Sequence, residues 1–203
     1  MSDGRTEAEL LERAGRGDET AFRAIYEQHR DCVFRFAYRM LGSVAPAEDI
    51  THDCFLSLLQ KPQLFDPDRA SLKTYLCAAG RNLVWKQLRR RGLETDVEEV
   101  DETRDTVWQK GPYEQLRSSE IAEGVRQAVA FLPPLQREAV ILFEFEELSL
   151  SEAAAAAQTD IGTIKSRLHR ARERLRGLLA GWIVAADSAA GARENIPLEE
   201  TKP

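Results

Sequence analysis

Apolar residues recur at helical spacing in the first half of the chain. In residues 22–41 the pattern consists of Phe22, Ile25, Tyr26, Val33, Phe36, Ala37, Met40 and Leu41, and it stops at Gly42, which is typical of a helix end. We expect a break in this helix near His29. A second helix is predicted for residues 46–61, which begin with proline and acids and precede another proline. A third is predicted for residues 71–91, with Ser71 as its N-cap.

Helical spacing returns in the second half, after a segment that lacks it. Residues 93–117 are acidic and poor in aliphatic side chains, so they cannot bury enough apolar area to offset the entropy lost on ordering. No stretch shows the alternation of a strand. The predicted fold is therefore all-α, with two small helical domains joined by an acidic linker. The predicted divisions are a first domain (1–92), the linker (93–117), a second domain (118–180) and a flexible tail (181–203).

Residues 151–179 have the arrangement of a helix-turn-helix. A short helix with Ser151 as N-cap precedes a turn at residues 158–160, and a long basic helix with Asp160 as N-cap ends near Leu179. A basic helix face is usually only solvated, but the capped helix and turn before it favour a recognition helix in a major groove. The residues expected to pack are Ile161, Ile164, Leu168, Ala171 and Leu175. The residues expected to contact duplex DNA are Thr163, Lys165, Ser166, His169, Arg170 and Arg172, the last at phosphates.

The helix predicted for residues 71–91 carries a second candidate surface. At about 100° per residue, an aromatic ring, an amide and two cations fall within an arc of about 60° beside the expected packing stripe. Single-stranded nucleic acid is bound by such a mixture, and the preceding loop adds side chains for a pocket that holds an unstacked base. The stripe is Leu72, Leu76, Ala79 and Leu83. The candidates are Tyr75, Asn82, Lys86 and Arg89 on the helix and Phe65, Asp66 and Arg69 in the loop. The alternative is that Phe65, Tyr75 and Trp85 simply belong to the core.

Charge is distributed unevenly along the chain. The formal net charge of -6 argues against nucleic-acid binding when taken alone. However, residues 81–91 contain five basic residues and no acid, and residues 165–176 contain six basic residues and one acid. Between them, residues 94–105 contain seven acids and one arginine, which lower the net charge of the chain without affecting either basic segment. The two basic surfaces therefore remain compatible with DNA.

Several classes of function are not supported by any pattern. The chain has no glycine-rich phosphate loop and no H-E-x-x-H motif, and its histidines, His29, His52 and His169, lie far apart. Its three cysteines form no C-x-x-C pair. We therefore expect no enzyme activity, no cofactor and no metal. The charged N-terminus and the lack of a long apolar run predict a cytoplasmic protein with no membrane insertion.

Five strings of residues resemble one known family. They are A-F-L-P-P-L-Q-R-E-A-V-I-L (130–142), L-S-L-S-E-A-A (148–154), G-T-I-K-S-R-L-H-R-A-R-E-R-L (162–175), A-E-D-I-T-H-D-C-F-L (47–56) and Y-L-C-A-A-G-R-N (75–82). The first three resemble the C-terminal DNA-binding domain, and the last two the N-terminal domain, of extracytoplasmic-function sigma factors of the sigma-70 family.

The resemblance implies a transcription initiation factor. Such a protein binds core RNA polymerase, directs it to specific promoters and promotes DNA opening, with the C-terminal helix on the upstream duplex element and the N-terminal domain on the unpaired non-template strand downstream. The A-E-D helix docks on the polymerase, which assigns this contact to Glu48, Asp49, His52 and Asp53. The class is usually controlled by an inhibitory anti-sigma partner, and a polymerase-bound molecule is expected at the nucleoid.

The chain departs from the family pattern at three functional positions. His52 replaces the usual glutamine of the A-E-D motif, Tyr75 replaces a tryptophan, and Gln158 replaces the glycine of the turn. These departures affect the polymerase contact and the packing of the turn.

Two other functions compete with this interpretation. A helix-turn-helix regulator that acts without polymerase explains the second basic surface, but it leaves the Tyr75 surface, the linker and the A-E-D helix without a role. A polymerase-docking adaptor that never contacts DNA leaves the recognition helix unexplained.

Overall fold

The structure is a computed structural model that describes residues 3–90 and 120–193, with side-chain burial described for residues 6–90 and 122–180. Helices make up the regular structure of both ranges, and no strand occurs within them, as the all-α prediction requires. The first domain comprises α1 (Asp3–Gly15), α2 (Glu19–Leu41), α3 (Val44–Gln60), a 3-10 turn (Pro62–Leu64) and α4 (Leu72–Arg90). The second comprises α5 (Glu120–Ala130), α6 (Pro134–Val140), a π-helical turn (Ile141–Phe145), α7 (Leu150–Ala156) and α8 (Ile161–Arg193). The predicted linker lies outside the described residues.

The long helix α2 is continuous, so the predicted break near His29 is wrong. The Asp18 side chain caps its start by accepting hydrogen bonds from the backbone N–H groups of Thr20 and Ala21, and Gly42 ends it with a φ of 68°. Residues 19–41 contain neither glycine nor proline, so nothing in the sequence interrupts the hydrogen-bond ladder. His29 is instead a buried residue of the helix.

The apolar pattern did not predict α1. This helix packs against α2 and α3 through Leu11 and Ala14. Its buried Glu7 accepts a 2.8 Å hydrogen bond from Nε2 of His29 on α2. The hydrogen bond between Glu7 and His29 therefore helps to hold α1 against α2, in addition to the few apolar contacts of α1.

The core of the first domain lies where α2, α3 and α4 meet. A Cβ at Gly80 of α4 would come within 3.3 Å of Val33 Cγ1 on α2, so glycine lets the two helices approach closely. The buried residues of α4 include Leu72, Leu76, Gly80, Val84 and Leu88, whereas Ala79 and Leu83 are only partly buried. The predicted stripe is therefore rotated, because the close-packed glycine lies on the buried face.

Local capping in the second domain agrees only in part with the sequence prediction. The N-cap of α7 is Ser149, two residues before the predicted Ser151, and it forms a capping box with Glu152. The turn that follows places Gln158 in the left-handed region, with a φ of 53°. Asp160 caps α8 as predicted, because its Oδ1 accepts a 2.8 Å hydrogen bond from the Thr163 N–H.

The last helix extends further than predicted. α8 runs to Arg193, whereas the sequence pattern placed its end near Leu179 and a flexible tail at 181–203. Residues 185–193 include five alanines and no proline, and alanine is the best helix former. The remainder of the predicted tail lies outside the described residues. No helix in the described part of the chain is both long and apolar enough to cross a membrane.

Candidate nucleic-acid and polymerase interfaces

The start of α8 presents the predicted duplex-binding surface. Ile164, Leu168 and Ala171 are buried against the rest of the second domain, which turns the opposite side of the helix outward. Lys165, Ser166, His169 and Arg170 are all exposed there. Ile161 is 43% exposed rather than packed, because it lies in the first turn, ahead of the contact with the domain core. The structure therefore brings the four principal candidates together on one accessible surface.

Two further candidates on α8 have partners within the chain. Thr163 Oγ1 donates a 2.6 Å hydrogen bond to Asp160 Oδ2, and hydrogen bonding by Thr163 is the main cause that lowers the pKa of Asp160. Arg172 donates a 2.7 Å hydrogen bond to Glu144 and lies over the ring of Phe143. Both residues of that ion pair remain about half exposed. Thr163 is thus part of the N-cap of α8 through its hydrogen bonds with Asp160. The side chain of Arg172 is held at the protein surface by its hydrogen bond to Glu144.

The predicted strand-binding surface lies on the outer side of α4. Asn82, Lys86 and Arg89 are exposed, and Tyr75 is partly buried. In the preceding loop Asp66 and Arg69 are exposed, and the Asp66 side chain accepts a hydrogen bond from the Asp68 N–H. An aromatic ring, an amide and cations therefore follow one side of the helix.

Phe65 does not line an open pocket. Its exposed fraction is 7%, and its ring packs edge-on against Tyr75 with 5.7 Å between centroids. Phe65 is therefore buried in the core, as the alternative expected, and its part in a base pocket stays a prediction. The reason is that a phenylalanine at the end of the 3-10 turn buries its ring in the domain core. The ring of Phe65 packs against the ring of Tyr75 on the side of the domain core.

The predicted polymerase contact lies on the outer face of α3. Glu48, Asp49, His52 and Asp53 are all exposed, while the opposite face of the helix is buried through residues such as Ile50 and Cys54. Leu56, three residues after Asp53, is 41% exposed. An exposed leucine thus follows the acidic stripe, a feature that the sequence pattern did not distinguish from core.

A cluster between the two domains was not predicted at all. The carboxylate of Glu138, on α6, has an exposed fraction of 0%. It accepts hydrogen bonds from Nε of Arg81 at 2.7 Å and from Nε1 of Trp85 at 2.5 Å, both on α4. Arg167 of α8 approaches its other oxygen at 3.4 Å, and burial lowers the pKa of Arg167.

A second buried carboxylate pairs with α2. Glu146, which follows the π-helical turn, has a side chain with 0% exposure. It accepts hydrogen bonds from Arg35 at 2.9 Å and from Arg39 at 3.1 Å. Hydrogen bonding to Glu146 raises the pKa of Arg35, whereas burial lowers the pKa of Arg39. Lys73 of α4 donates to the backbone carbonyl of Glu146.

Smaller contacts surround these two carboxylates. Arg81 also donates to Gln158 Oε1 at 3.2 Å, Thr74 Oγ1 donates to Glu152 at 3.2 Å, and Arg137 donates to the backbone carbonyl of Met40 at 3.0 Å. We call the pairs of Glu138 with Arg81 and Trp85, and of Glu146 with Arg35 and Arg39, the interdomain network. The sequence alone does not reveal this network, because nothing in the local pattern distinguishes a buried acid such as Glu138 from an exposed one. The network becomes visible only when the contacts between the two domains are known.

The cysteines are packing residues in the described structure. Cys32, Cys54 and Cys77 are buried and free, and burial raises the pKa of Cys54 to about 12. Within residues 3–90 and 120–193, no three His, Cys, Asp or Glu side chains lie together as potential metal ligands.

Comparison with known proteins covers both domains. Residues 25–94 match the family described as Sigma-70 region 2, and residues 122–175 match the family described as Sigma-70, region 4. The chain is 34% identical to the ECF RNA polymerase sigma factor SigE of Mycolicibacterium smegmatis over 81% of this chain and 65% of that protein. It is 32% identical to the ECF sigma factor RpoE of Cereibacter sphaeroides over 78% of this chain and 86% of that protein.

A solved structure shows a similar fold. The sigma factor RpoE of Bartonella quintana, crystallised in complex with the anti-sigma factor NepR, superposes with a TM-score of 0.61 at 30% sequence identity. The match covers 78% of this chain and 96% of that one.

Proposed function

Because the chain belongs to the extracytoplasmic-function group of the sigma-70 family, we propose that it binds core RNA polymerase, directs it to specific promoters and promotes DNA opening. It does so without catalytic chemistry of its own. The proposed divisions follow the sequence prediction: residues 1–92 contact polymerase and the downstream element, 93–117 tether the domains, and 118–180 contact the upstream element.

The observation that carries the proposal is the exposed surface at the start of α8. A major groove is wide enough for an α-helix, and residues in the first turns of a recognition helix reach the base edges. Lys165, Ser166, His169 and Arg170 occupy those turns and are exposed. Lysine and arginine donate to guanine O6 and N7, and serine and histidine add shorter hydrogen-bonding groups. We assign a phosphate contact to Arg172, whose side chain donates a hydrogen bond to Glu144.

We assign capture of the unpaired strand to α4. Tyr75 offers a ring face for stacking, Asn82 offers an amide to a base edge, and Lys86 follows the phosphates, with Arg89 further along the helix. Phe65 contributes indirectly, because its edge-to-face contact orients the Tyr75 ring. Asp66 and Arg69 border the same region from the loop.

The polymerase contact is assigned to the exposed acids of α3. Glu48, Asp49 and Asp53 form a negative stripe that complements a basic surface, and His52 adds a hydrogen-bonding group in place of glutamine. The exposed Leu56 extends this contact with an apolar residue.

An inhibitory partner also belongs to the proposal. The Bartonella quintana relative is bound to an anti-sigma factor in its crystal structure, and we propose that a protein of this kind restrains the present chain. The site of action is the cytoplasm, at the nucleoid when polymerase is bound.

The alternative function, a helix-turn-helix regulator that acts without polymerase, explains fewer of the observations than a sigma factor does. It accounts for the match of residues 122–175 but not for the match of residues 25–94 to sigma region 2. The two interpretations differ in one measurable property, which is whether promoter-specific activity requires core polymerase.

Reconstituted transcription tests the proposal. Core polymerase, the purified chain and a library of genomic promoter fragments should yield defined transcription start sites. The double substitution Lys165→Ala and Arg170→Ala should reduce transcripts from those sites at least tenfold, since each good base contact contributes about 1–3 kcal/mol of discrimination. Arg174→Ala, an exposed arginine about one turn beyond the last predicted base contact, serves as the matched control and should retain activity. No defined start site, or equal activity of the double variant, would refute the proposal.

A further inference from the structure

We propose that Cys32 and Cys77 form a redox-sensitive site, at which hydrogen peroxide oxidises the Cys32 sulfur and Cys77 then closes a disulfide between α2 and α4. The chain has three cysteines, and all of them are buried and free in the described structure. The site contains no residue of the proposed DNA or polymerase contacts, so it goes beyond the proposed function and does not depend on it.

The packing of α2 against α4 brings these two cysteines together. Cys32 precedes Val33, whose Cγ1 would lie 3.3 Å from a Cβ at Gly80. Cys77 lies three residues before Gly80, hence on the same side of α4, and both cysteines belong to the buried core. The two thiols are hydrogen-bonded to each other. A disulfide between two helices requires such a close approach, since its Cβ atoms must lie about 3.5–4.5 Å apart.

The groups around Cys32 favour its thiolate, which is the reactive form of a cysteine. A hydrogen bond from the Cys77 thiol is the main cause that lowers the pKa of Cys32, and burial opposes it. The ring of His29 lowers this pKa further, whereas Glu146 raises it. His29 is itself held by Glu7 at 2.8 Å, and the protonated Cys32 thiol donates a 3.1 Å hydrogen bond to the His29 carbonyl.

The two cysteines have different roles in the proposed reaction. Their shared hydrogen bond raises the pKa of Cys77 well above the ordinary thiol value, and burial acts in the same direction. Cys77 therefore keeps its proton and donates it to the Cys32 sulfur. Since a thiolate attacks peroxides and a thiol does not, Cys32 is the nucleophile and Cys77 is the resolving thiol.

Burial restricts the oxidant to a small molecule. The exposed fraction is 5% for Cys32 and 0% for Cys77, so glutathione disulfide or a partner protein cannot reach either sulfur in the folded chain. Hydrogen peroxide has only two heavy atoms and needs a much smaller opening. Cys54 lies in the same core, but burial raises its pKa to about 12, so it stays a thiol. Cys54 is therefore an internal control.

The reaction balances with hydrogen peroxide as the oxidant. The Cys32 thiolate attacks one peroxide oxygen, an S–O bond forms and the O–O bond breaks. The departing hydroxide takes a proton from the His29 imidazolium to give water, and the sulfur, having lost two electrons to the peroxide, is a sulfenic acid. The Cys77 sulfur then attacks it, an S–S bond forms and the S–O bond breaks. The second hydroxide leaves as water with the Cys77 proton.

Peptide mapping of the folded full-length chain tests the site. The reduced protein is treated with hydrogen peroxide at pH 7, free thiols are alkylated, and tryptic peptides are analysed without reduction. Trypsin releases Cys32 in residues 31–35 and Cys77 in residues 74–81, and these peptides should appear as one cross-linked species. Cys54 should remain alkylated. Dithiothreitol should separate the two peptides, because thiol exchange reverses a disulfide.

Alanine variants separate the two roles. Cys77→Ala should stop the reaction at the Cys32 sulfenic acid, which dimedone traps, and Cys32→Ala should leave Cys77 reduced. Cys54→Ala is the matched control and should form the disulfide at the parent rate. In the folded parent, Cys32 should lose its free thiol about tenfold faster than Cys54 or more, and the two rates should become similar in urea, where the packing is lost.

Three results would overturn the proposal. They are equal oxidation rates of Cys32 and Cys54 in the folded chain, the lack of any cross-link between residues 31–35 and 74–81, and a disulfide that contains Cys54. Circular dichroism during oxidation verifies that the chain stays folded. The measurements on the parent protein decide the question even where an alanine variant fails to fold.

Discussion

His29 and Glu7 form a buried ion pair, 2.8 Å between Nε2 and Oε1, that fastens α1 to α2. Burial lowers the pKa of His29, but its interactions with Cys32 and Glu7 outweigh that effect and raise the pKa to about 9. The unfolded histidine loses its proton near pH 6.5. The pair therefore contributes its full stability below about pH 6.5, and this contribution is lost as the pH rises through about 9.

Removal of this pair should destabilise the first domain. Glu7→Ala leaves a buried cation without a partner, so we expect the free energy of unfolding to fall by roughly 3 kcal/mol at pH 6, and by less at pH 10. Urea denaturation at the two pH values measures this. Glu12→Ala, which removes the exposed pair with Arg16, should change stability very little. An equal loss at both pH values would contradict the protonated state of His29.

The start of α7 can be assigned by two serine substitutions. Ser149 Oγ accepts a hydrogen bond from the Glu152 N–H, and the Glu152 carboxylate accepts one from the Ser149 N–H. Ser149→Ala should therefore cost about 1 kcal/mol, whereas Ser151→Ala, at the position that the sequence pattern favoured, should cost less. Thermal unfolding of the two variants compares them. The opposite order would restore Ser151 as the cap.

Glycine should be tolerated or preferred at two positions in the second domain. Glu147 and Gln158 have φ values of 54° and 53°, and the left-handed region costs a non-glycine residue about 1–2 kcal/mol. Glu147→Gly should stabilise the protein by up to about 1 kcal/mol after the added flexibility of the unfolded chain is subtracted. Gln158→Gly should gain less, since it also removes the hydrogen bond from Arg81. Glu144→Gly, within the π-helical turn, is the control and should destabilise; chemical denaturation measures all three.

Tyr75 should affect DNA opening more than polymerase binding. Base stacking on an aromatic ring contributes about 1–3 kcal/mol, so Tyr75→Ala should reduce the open-complex population by roughly fivefold or more. Tyr75→Phe keeps the ring and should retain most of that population. Fluorescence of 2-aminopurine placed in the unpaired strand reports opening, and a labelled-polymerase binding assay reports docking. If Tyr75→Ala opens promoters normally, Tyr75 belongs only to the core.

The ends of several helices depend on residues that are close together in the chain, and the sequence by itself determined these ends. Gly42 ends α2, Ser71 precedes α4 and Asp160 caps α8, because turns and caps involve residues within a few positions of one another. The exposed face of α8 was predictable for the same reason, since helical periodicity alone separates Ile164 and Leu168 from Lys165 and His169.

Other features arise only when distant segments meet, and the tertiary structure decided these. The buried stripe of α4 is rotated because Gly80 permits close contact with Val33, and Phe65 is buried because the 3-10 turn directs it toward the core. Glu138 and Glu146 look like ordinary surface acids in the sequence, yet they are fully buried since arginines more than 50 positions away supply their hydrogen bonds. The free energy of burying a charge depends on such partners, and no local pattern encodes where they lie.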